Sequence, residues 1–320
     1  MRPASKYVGR FAPSPTGPLH FGSLIAAVGS YLQAKSQRGR WLVRIEDLDP
    51  PRESPGASTQ ILRTLEAFGF VWDGAVTYQS QRREHYEHAL KKLAAGGHIF
   101  LCGCSRQEIR ANATLGEFGP VYPGICRVAV ASGRRGRVVR AITHDKPIGF
   151  DDPVAGFYAQ RLESQIGDFV IKRRDGYIAY QLAVVVDDAG QRISEVVRGA
   201  DLLDSTPRQI YLQGLLGVPT PRYVHLPVAV NVRGKKLSKH THAPALDTAL
   251  PQQALIASLQ FLGQNPPAEL VAASVAECWQ WAIAHWALDQ VPKTRQICYD
   301  DATSASGATS RRDLVTRKVS

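Results

Sequence analysis

The chain has 320 residues, enough for a substantial core and more than one domain. With 44% hydrophobic and 21% charged residues it has an ordinary globular composition. No run approaches the roughly 20 apolar residues that a bilayer demands, and no apolar run follows Arg2 and Lys6 to make a signal peptide. A net charge of +11 favours polyanionic partners, nucleic acid first, and the expected location is cytoplasmic with no membrane attachment.

Residues 7–12 read as a short strand, stopped by the turn Pro13-Ser14-Pro15-Thr16-Gly17-Pro18. Between residues 19 and 37, Leu24, Ile25, Val28, Tyr31 and Leu32 recur at helical spacing. Residues 41–45 form a second strand candidate, closed by Glu46-Asp47-Leu48-Asp49-Pro50, and amphipathic helices are expected near 58–68 and 81–95. Strand, helix, strand, helix is the opening of a parallel α/β sheet. Residues 102–176 change in character, with Gly, Arg and short β-prone runs such as 137–142 and 169–172. They read as an α+β insertion with its own small sheet. The α/β signal returns at 179–186, 195–198, a helix near 207–216 and an apolar strand over 223–230. From Pro251 the pattern is helical, through Leu255, Leu259 and Leu262 and then 270–286, and the Ser-, Thr- and Arg-rich end is expected to be disordered. The expected division is therefore 1–101 and 177–248 as two halves of a catalytic domain, 102–176 inserted between them, 249–300 helical, and 301–320 a tail.

Two loops carry chemistry. In the first, a strand runs through the Pro/Gly turn into Leu19-His20-Phe21-Gly22-Ser23 at the start of a helix. Backbone N–H groups and the dipole at such a terminus attract phosphate, glycine permits close approach, and His20 is able to donate to charge that grows in a transition state. In the second, Arg233-Gly234-Lys235-Lys236-Leu237-Ser238-Lys239-His240 follows an apolar strand, and its lysines suit a triphosphate. Arg10 and Glu46 end the first two strands, where ligands of open α/β sheets bind. An arginine fork fits a carboxylate, and a carboxylate fits an ammonium group. Five cysteines do not read as a disulfide framework: Cys102, Cys104 and Cys126 cluster, while Cys278 and Cys298 stand alone. Three thiolates need one further ligand for a closed tetrahedral zinc site, and His98 is the usual type.

The string from Pro13 to Ser23 resembles the HIGH region of class I aminoacyl-tRNA synthetases in its glutamyl form. Lys236, Leu237, Ser238, Lys239 and His240 resemble the KMSKS loop of the same enzymes, with Leu and His replacing Met and the last Ser. The likeness runs from about Gly9 to Asp247, and the residues beyond it are too few for a full anticodon-binding region. That shortening, with the clustered cysteines, is similar to the subfamily that glutamylates queuosine in tRNA(Asp). The resemblance implies a Rossmann-type doubly wound parallel sheet with an inserted zinc-containing subdomain and a short helical C-terminal region. It implies tRNA-independent formation of glutamyl-AMP from L-glutamate and ATP with Mg²⁺, then transfer to queuosine of tRNA(Asp), by a chain expected to be monomeric. Arg10, Phe11, Ala12, Pro13, Ser14, Glu46, Tyr180 and Arg198 are then expected to hold glutamate, and His20, Gly22, Lys236 and Lys239 to hold ATP. One structural zinc is expected on Cys102, Cys104, Cys126 and, by resemblance, Tyr122, with His98 as the alternative fourth ligand. Two other readings stay open: a discriminating glutamyl-tRNA synthetase that charges a 3′ end, and a zinc-containing RNA-binding protein whose catalytic site is retired.

Overall fold

The computed structural model describes residues 7–130, 135–237 and 244–299. Ser238, Lys239 and His240 of the second loop, and the expected tail 301–320, lie outside the described residues.

The first strand, β1 (Val8–Phe11), is buried along its whole length, as expected for a parallel strand covered on both faces. Prolines 13, 15 and 18 stop it, and helix α1 (Phe21–Ser36) begins with His20 as N-cap in a reciprocal capping box with Ser23. Strand β2 (Arg40–Ile45) pairs parallel with β1, and β3 (Thr77–Tyr78) pairs parallel with β2. Between β2 and β3 lies α2 (Ala57–Ala67), and α3 (Arg83–Ala95) follows a short 3₁₀ turn.

Strands β4 (Ile99–Cys102), β7 (Val138–Ala141) and β10 (Val170–Lys172) make a separate antiparallel sheet in the order β10-β7-β4. Within its span lie α4 (Arg106–Asn112), the two-residue strands β5 (Leu115–Gly116) and β6 (Gly119–Pro120), the hairpin β8 (Pro147–Asp152) with β9 (Gly156–Arg161), and the single turn α5 (Leu162–Gln165).

The chain then returns through α6 (Tyr180–Gly190), β11 (Glu195–Gly199), α7 (Thr206–Leu216), β12 (Arg222–Leu226) and β13 (Val228–Val230). Strands β11 and β12 are parallel, and Ser194, just before β11, donates its N–H to the Val8 carbonyl at 2.9 Å, which sets β11 against β1. The β8–β9 hairpin packs back on β12 and α7. The expected strand over 223–230 is two strands, because Pro227 has no N–H to continue the ladder. Helices α8 (Pro251–Phe261) and α9 (Val275–His285) follow, and a last strand that the helical pattern did not announce, β14 (Gln296–Cys298), pairs parallel with β13.

The main core lies between α1, the β1–β2 sheet, α8 and α9. There the Trp41 ring stacks on Phe70 at 5.4 Å and meets Tyr31 edge-on at 5.0 Å. A second core joins α3, α6 and α7 to the antiparallel sheet through Ala141 and Ile171. No helix among the described residues is long and apolar enough to cross a membrane.

Candidate active site

The carboxyl ends of β1, β2, β11 and β12 meet the N-terminus of α1 around a cavity of ≈ 470 Å³. This is the crevice that ligands use in open parallel sheets, where the strand order reverses. Arg10, Phe11, Ala12, Pro13, Ser14, Glu46, Tyr180 and Arg198, expected to share one substrate, all line it, and so do His20, Gly22 and Lys236. Lys239 lies outside the described residues. Of the first loop, Thr16, Gly17, Pro18, Leu19 and Ser23 also face the cavity. Phe21 instead stacks on Tyr299 with ring centroids 4.0 Å apart.

The floor of the cavity is an ion-pair network. Arg10, 3% exposed, places Nε 3.1 Å from Asp188 Oδ1 and Nη2 3.4 Å from Oδ2. Asp188 Oδ1 also accepts from Arg44 Nη1 at 2.8 Å, and Arg44 Nη2 reaches Glu46 Oε1 at 3.2 Å. Burial pushes the Glu46 carboxyl above its ordinary pKa, while Arg44 and Arg10 pull it the other way. Burial opposes ionisation of Asp188 too, but the two guanidiniums bonded to it hold it below the ordinary carboxylate value. Its neighbour Asp187 accepts from Arg82 Nε at 2.6 Å, Gln79 Nε2 at 2.7 Å and the Tyr86 hydroxyl at 2.8 Å, tying α6 to the start of α3.

On the opposite wall Arg198 donates from Nη1 to the Tyr180 hydroxyl at 3.2 Å, from Nη2 to Thr206 Oγ1 at 2.7 Å, and from Nε to His225 Nε2 at 3.2 Å. Among the residues that line the cavity, the Arg10 and Arg198 guanidiniums are each locked by buried partners, and Glu46 adds a buried carboxylate. Such a set suits a small zwitterion bearing more than one carboxylate.

At the head of α1, His20 Nδ1 accepts from the Ser23 N–H at 3.3 Å, and Ser23 Oγ accepts from the His20 N–H at 2.9 Å. With Nδ1 committed as acceptor, the proton of the neutral ring sits on Nε2, where it is a donor. No acidic residue occupies the first turn of α1, so its N-terminal N–H groups and dipole retain their pull on anions. The second loop closes on this point. A Cβ built on Gly22 would lie 3.1 Å from the Leu237 carbonyl, and Leu246 donates its N–H to Leu19 at 3.0 Å. Glycine at 22 is what lets the two backbones touch. Lys236 Nζ pairs with Asp201 at 2.6 Å on the cavity rim.

Away from the cavity, the sulfurs of Cys102, Cys104 and Cys126 lie within 4.8 Å of one another. The Tyr122 hydroxyl is 3.4 Å from the Cys102 sulfur and 3.9 Å from that of Cys104, and the Arg140 guanidinium lies 3.9 Å over the Tyr122 ring. Burial and the neighbouring sulfurs push the Cys104 thiol up to about 12. Hydrogen bonds from Tyr122, the Cys104 N–H and Arg140 outweigh burial at Cys102 and hold it below the ordinary thiol value. Three sulfurs at these separations could hold a metal ion, and the Tyr122 hydroxyl lies beside them. The His98 ring folds over Gly96 and is not part of this group.

Sequence reasoning did not single out Asp188, Asp152, Thr206 or His225. Arg44 was visible only as a charge inside an apolar strand, and Asp187-Asp188 only as two acids behind the apolar run 182–186.

Residues 6–270 match the family model for the catalytic domain of class I tRNA synthetases (E and Q). A glutamyl-Q tRNA(Asp) synthetase of Aromatoleum aromaticum is 51% identical over 302 residues, covering 94% of this chain and 96% of its own. One of Dechloromonas aromatica is 55% identical over 295 residues, 92% and 98% of the two chains. Among solved structures, a glutamate-tRNA synthetase from Elizabethkingia anophelis aligns with a TM-score of 0.76 at 25% identity, over 94% of this chain and 69% of its own. A glutamate tRNA ligase from Elizabethkingia meningosepticum, in complex with its amino acid, gives 0.76 at 26% identity over 94% and 68%.

Proposed function

Because this chain belongs to the glutamyl-Q tRNA(Asp) synthetase family, we propose that it activates L-glutamate with ATP, without tRNA, and transfers the glutamyl group to queuosine in the anticodon of tRNA(Asp). The observation that carries the reading is one cavity holding Arg10, Glu46 and Arg198 beside the His20 turn and Lys236.

In this reading Arg10 and Arg198, with Tyr180, hold the carboxylates of glutamate, and ionised Glu46 takes its ammonium. Phe11, Ala12, Pro13 and Ser14 form the wall along which the substrate lies. Its α-carboxylate oxygen attacks the α-phosphorus of ATP, the bond to the β-phosphate oxygen breaks, and pyrophosphate leaves with the electron pair. His20 Nε2–H, the α1 N-terminus at Gly22, Lys236 and Lys239 meet the charge that builds on the phosphates, so positioning and electrostatics supply most of the rate. Mg²⁺ accompanies ATP, bound chiefly to phosphate oxygens and water. A hydroxyl of the queuosine cyclopentenediol then attacks the glutamyl carbonyl, AMP departs, and an ester forms.

Zinc on Cys102, Cys104, Cys126 and Tyr122 is structural in this account. It pins the segment that carries α4 to the antiparallel sheet and takes no part in a chemical step. The chain divides into catalytic halves 1–101 and 177–248, the zinc subdomain 102–176 between them, and the C-terminal region 249–300. The working unit is a cytoplasmic monomer.

The test is pyrophosphate exchange into ATP with glutamate, glutamine and aspartate, with and without tRNA. Exchange with glutamate alone, independent of tRNA, is expected, followed by glutamate transfer only to tRNA(Asp) that contains queuosine. Charging of queuosine-free tRNA at its 3′ end would replace this reading with a discriminating glutamyl-tRNA synthetase. Absence of any exchange would remove the enzyme altogether.

A further inference from the structure

The β8–β9 hairpin belongs to the segment inserted between the catalytic halves, yet its carboxylate Asp152 is buried against the strand that ends at the cavity. The Asp152 and His225 side chains are both 0% exposed, and Nδ1 of His225 lies 2.8 Å from Asp152 Oδ2. That oxygen also accepts the His225 backbone N–H at 2.9 Å, while Oδ1 accepts the N–H groups of Val154 and Ala155 at 2.9 and 2.8 Å. Every hydrogen-bond partner of this carboxylate among the described residues is an N–H donor, so Asp152 acts purely as an acceptor and the His225 proton sits on Nδ1. His225 Nε2 is left as an acceptor, and it faces Arg198 Nε–H at 3.2 Å and the Thr206 hydroxyl at 3.1 Å. The opposite tautomer would set Nε2–H against a guanidinium N–H, two donors with nothing between them.

We infer that Asp152 and His225 are positioning residues for Arg198: the hairpin carboxylate fixes the imidazole tautomer, and the imidazole orients the Arg198 fork toward the amino-acid substrate. The arrangement leaves Nη1, which carries two hydrogens and among the described residues bonds the Tyr180 hydroxyl alone, as the edge for a carboxylate. The β8–β9 hairpin thereby helps to shape the cavity that the catalytic halves enclose. The inference rests on the reading of Arg198 as a glutamate ligand, and it assigns the orientation of that ligand to residues outside the cavity wall.

Three substitutions separate positioning from mere support of the fold. His225→Phe keeps the ring and removes both nitrogens. His225→Gln keeps a carbonyl that accepts from Arg198 Nε. Asp152→Asn is nearly isosteric, but an amide whose oxygen stays on the Val154 and Ala155 N–H groups turns its NH₂ to His225 Nδ1 and forces the proton to Nε2. In glutamate-dependent pyrophosphate exchange, KM for glutamate is expected to rise about tenfold or more in His225→Phe and Asp152→Asn, the scale of one lost charge-assisted hydrogen bond. KM for ATP stays within about twofold, and His225→Gln recovers most of the loss. A rise in both KM values together, or no rise in either, overturns the inference.

The unsubstituted protein supplies a second readout. Its two-bond ¹H–¹⁵N histidine spectrum, with His225 identified as the resonance missing in His225→Gln, is expected to show the Nδ1–H tautomer. An Nε2–H tautomer overturns the inference whatever the variants do. Failure of the wild-type protein to exchange pyrophosphate would instead sink the functional reading, and the spectrum would still judge the Asp152–His225 geometry.

Discussion

Asp188 holds together the floor of the cavity, and its removal tests the electrostatics directly. In Asp188→Ala three hydrogen bonds disappear, from Arg10 at 3.1 and 3.4 Å and from Arg44 at 2.8 Å. Arg44 keeps Glu46 at 3.2 Å and Asp187 at 3.9 Å, whereas Arg10, 3% exposed, loses the carboxylate that pairs with it. Breaking a buried pair from one side costs about 3–5 kcal/mol, a large share of the roughly 5–15 kcal/mol that holds a protein folded. Asp188→Asn preserves the Oδ1 acceptor shared by both arginines and gives up the charge, so about 2 kcal/mol is expected.

Urea unfolding at neutral pH reads both variants, and Asp188→Ala should lower the midpoint by about 1 M or more. The sign with pH is fixed by the depressed pKa of Asp188. Its contribution is complete above the ordinary carboxylate value and is lost as pH falls through the lower, folded-state value. The wild-type and Asp188→Ala curves should therefore converge only in strong acid. A loss below about 1 kcal/mol in Asp188→Ala, or a gap that persists unchanged through strong acid, would refute the reasoning.

Burial, opposed by Asp152, lowers the His225 pKa to about 4, so the unfolded chain binds a proton at this position that the folded chain refuses. Between pH 6.5 and 4, wild-type stability should fall by about 3 kcal/mol more than that of His225→Gln, and parallel curves would count against it. Zinc analysis of the purified protein should give about one ion per chain, and Cys104→Ser should reduce it without altering KM for glutamate. A metal-free wild type of unchanged stability would exclude the site. Lys236 and Asp201 are 43% and 34% exposed in their side chains, so the pair adds under about 1 kcal/mol. Lys236→Ala should leave the melting temperature nearly unchanged while kcat/KM for ATP falls by about tenfold or more, and equal kinetics would remove Lys236 from the phosphate site.

What could be read from residues alone was local. The proline turn before a helix, the apolar strands and the lysine loop each declare themselves within a dozen residues. Arg10 and Glu46 follow from their places at the ends of the first two strands, whereas Tyr180 and Arg198 follow only from the family resemblance; all four line the cavity. The partners that lock those side chains were not legible. Asp188 stands 178 residues from Arg10, and Asp152 stands 73 from His225, and a buried acid–base pair at such separations leaves no periodic trace in either strand or helix. The nearest hint was physical: Arg44 inside β2 has to meet a carboxylate to be buried at all, and the only question was which one. Strand β14 escaped for a different reason, since a three-residue strand beside β13 is specified by its neighbour more than by its own residues.

The parallel pairing of β14 with β13 has a consequence for proteolysis and for shortened forms of the chain. Val228–Val230 leads directly into the lysine loop, and β14 covers the row of main-chain donors and acceptors along its flank. A cut before Gln296 would uncover that row beside the cavity and offer an incoming strand a ready template. The clipped protein would tend to associate edge to edge through the very strand that leads into Lys235 and Lys236.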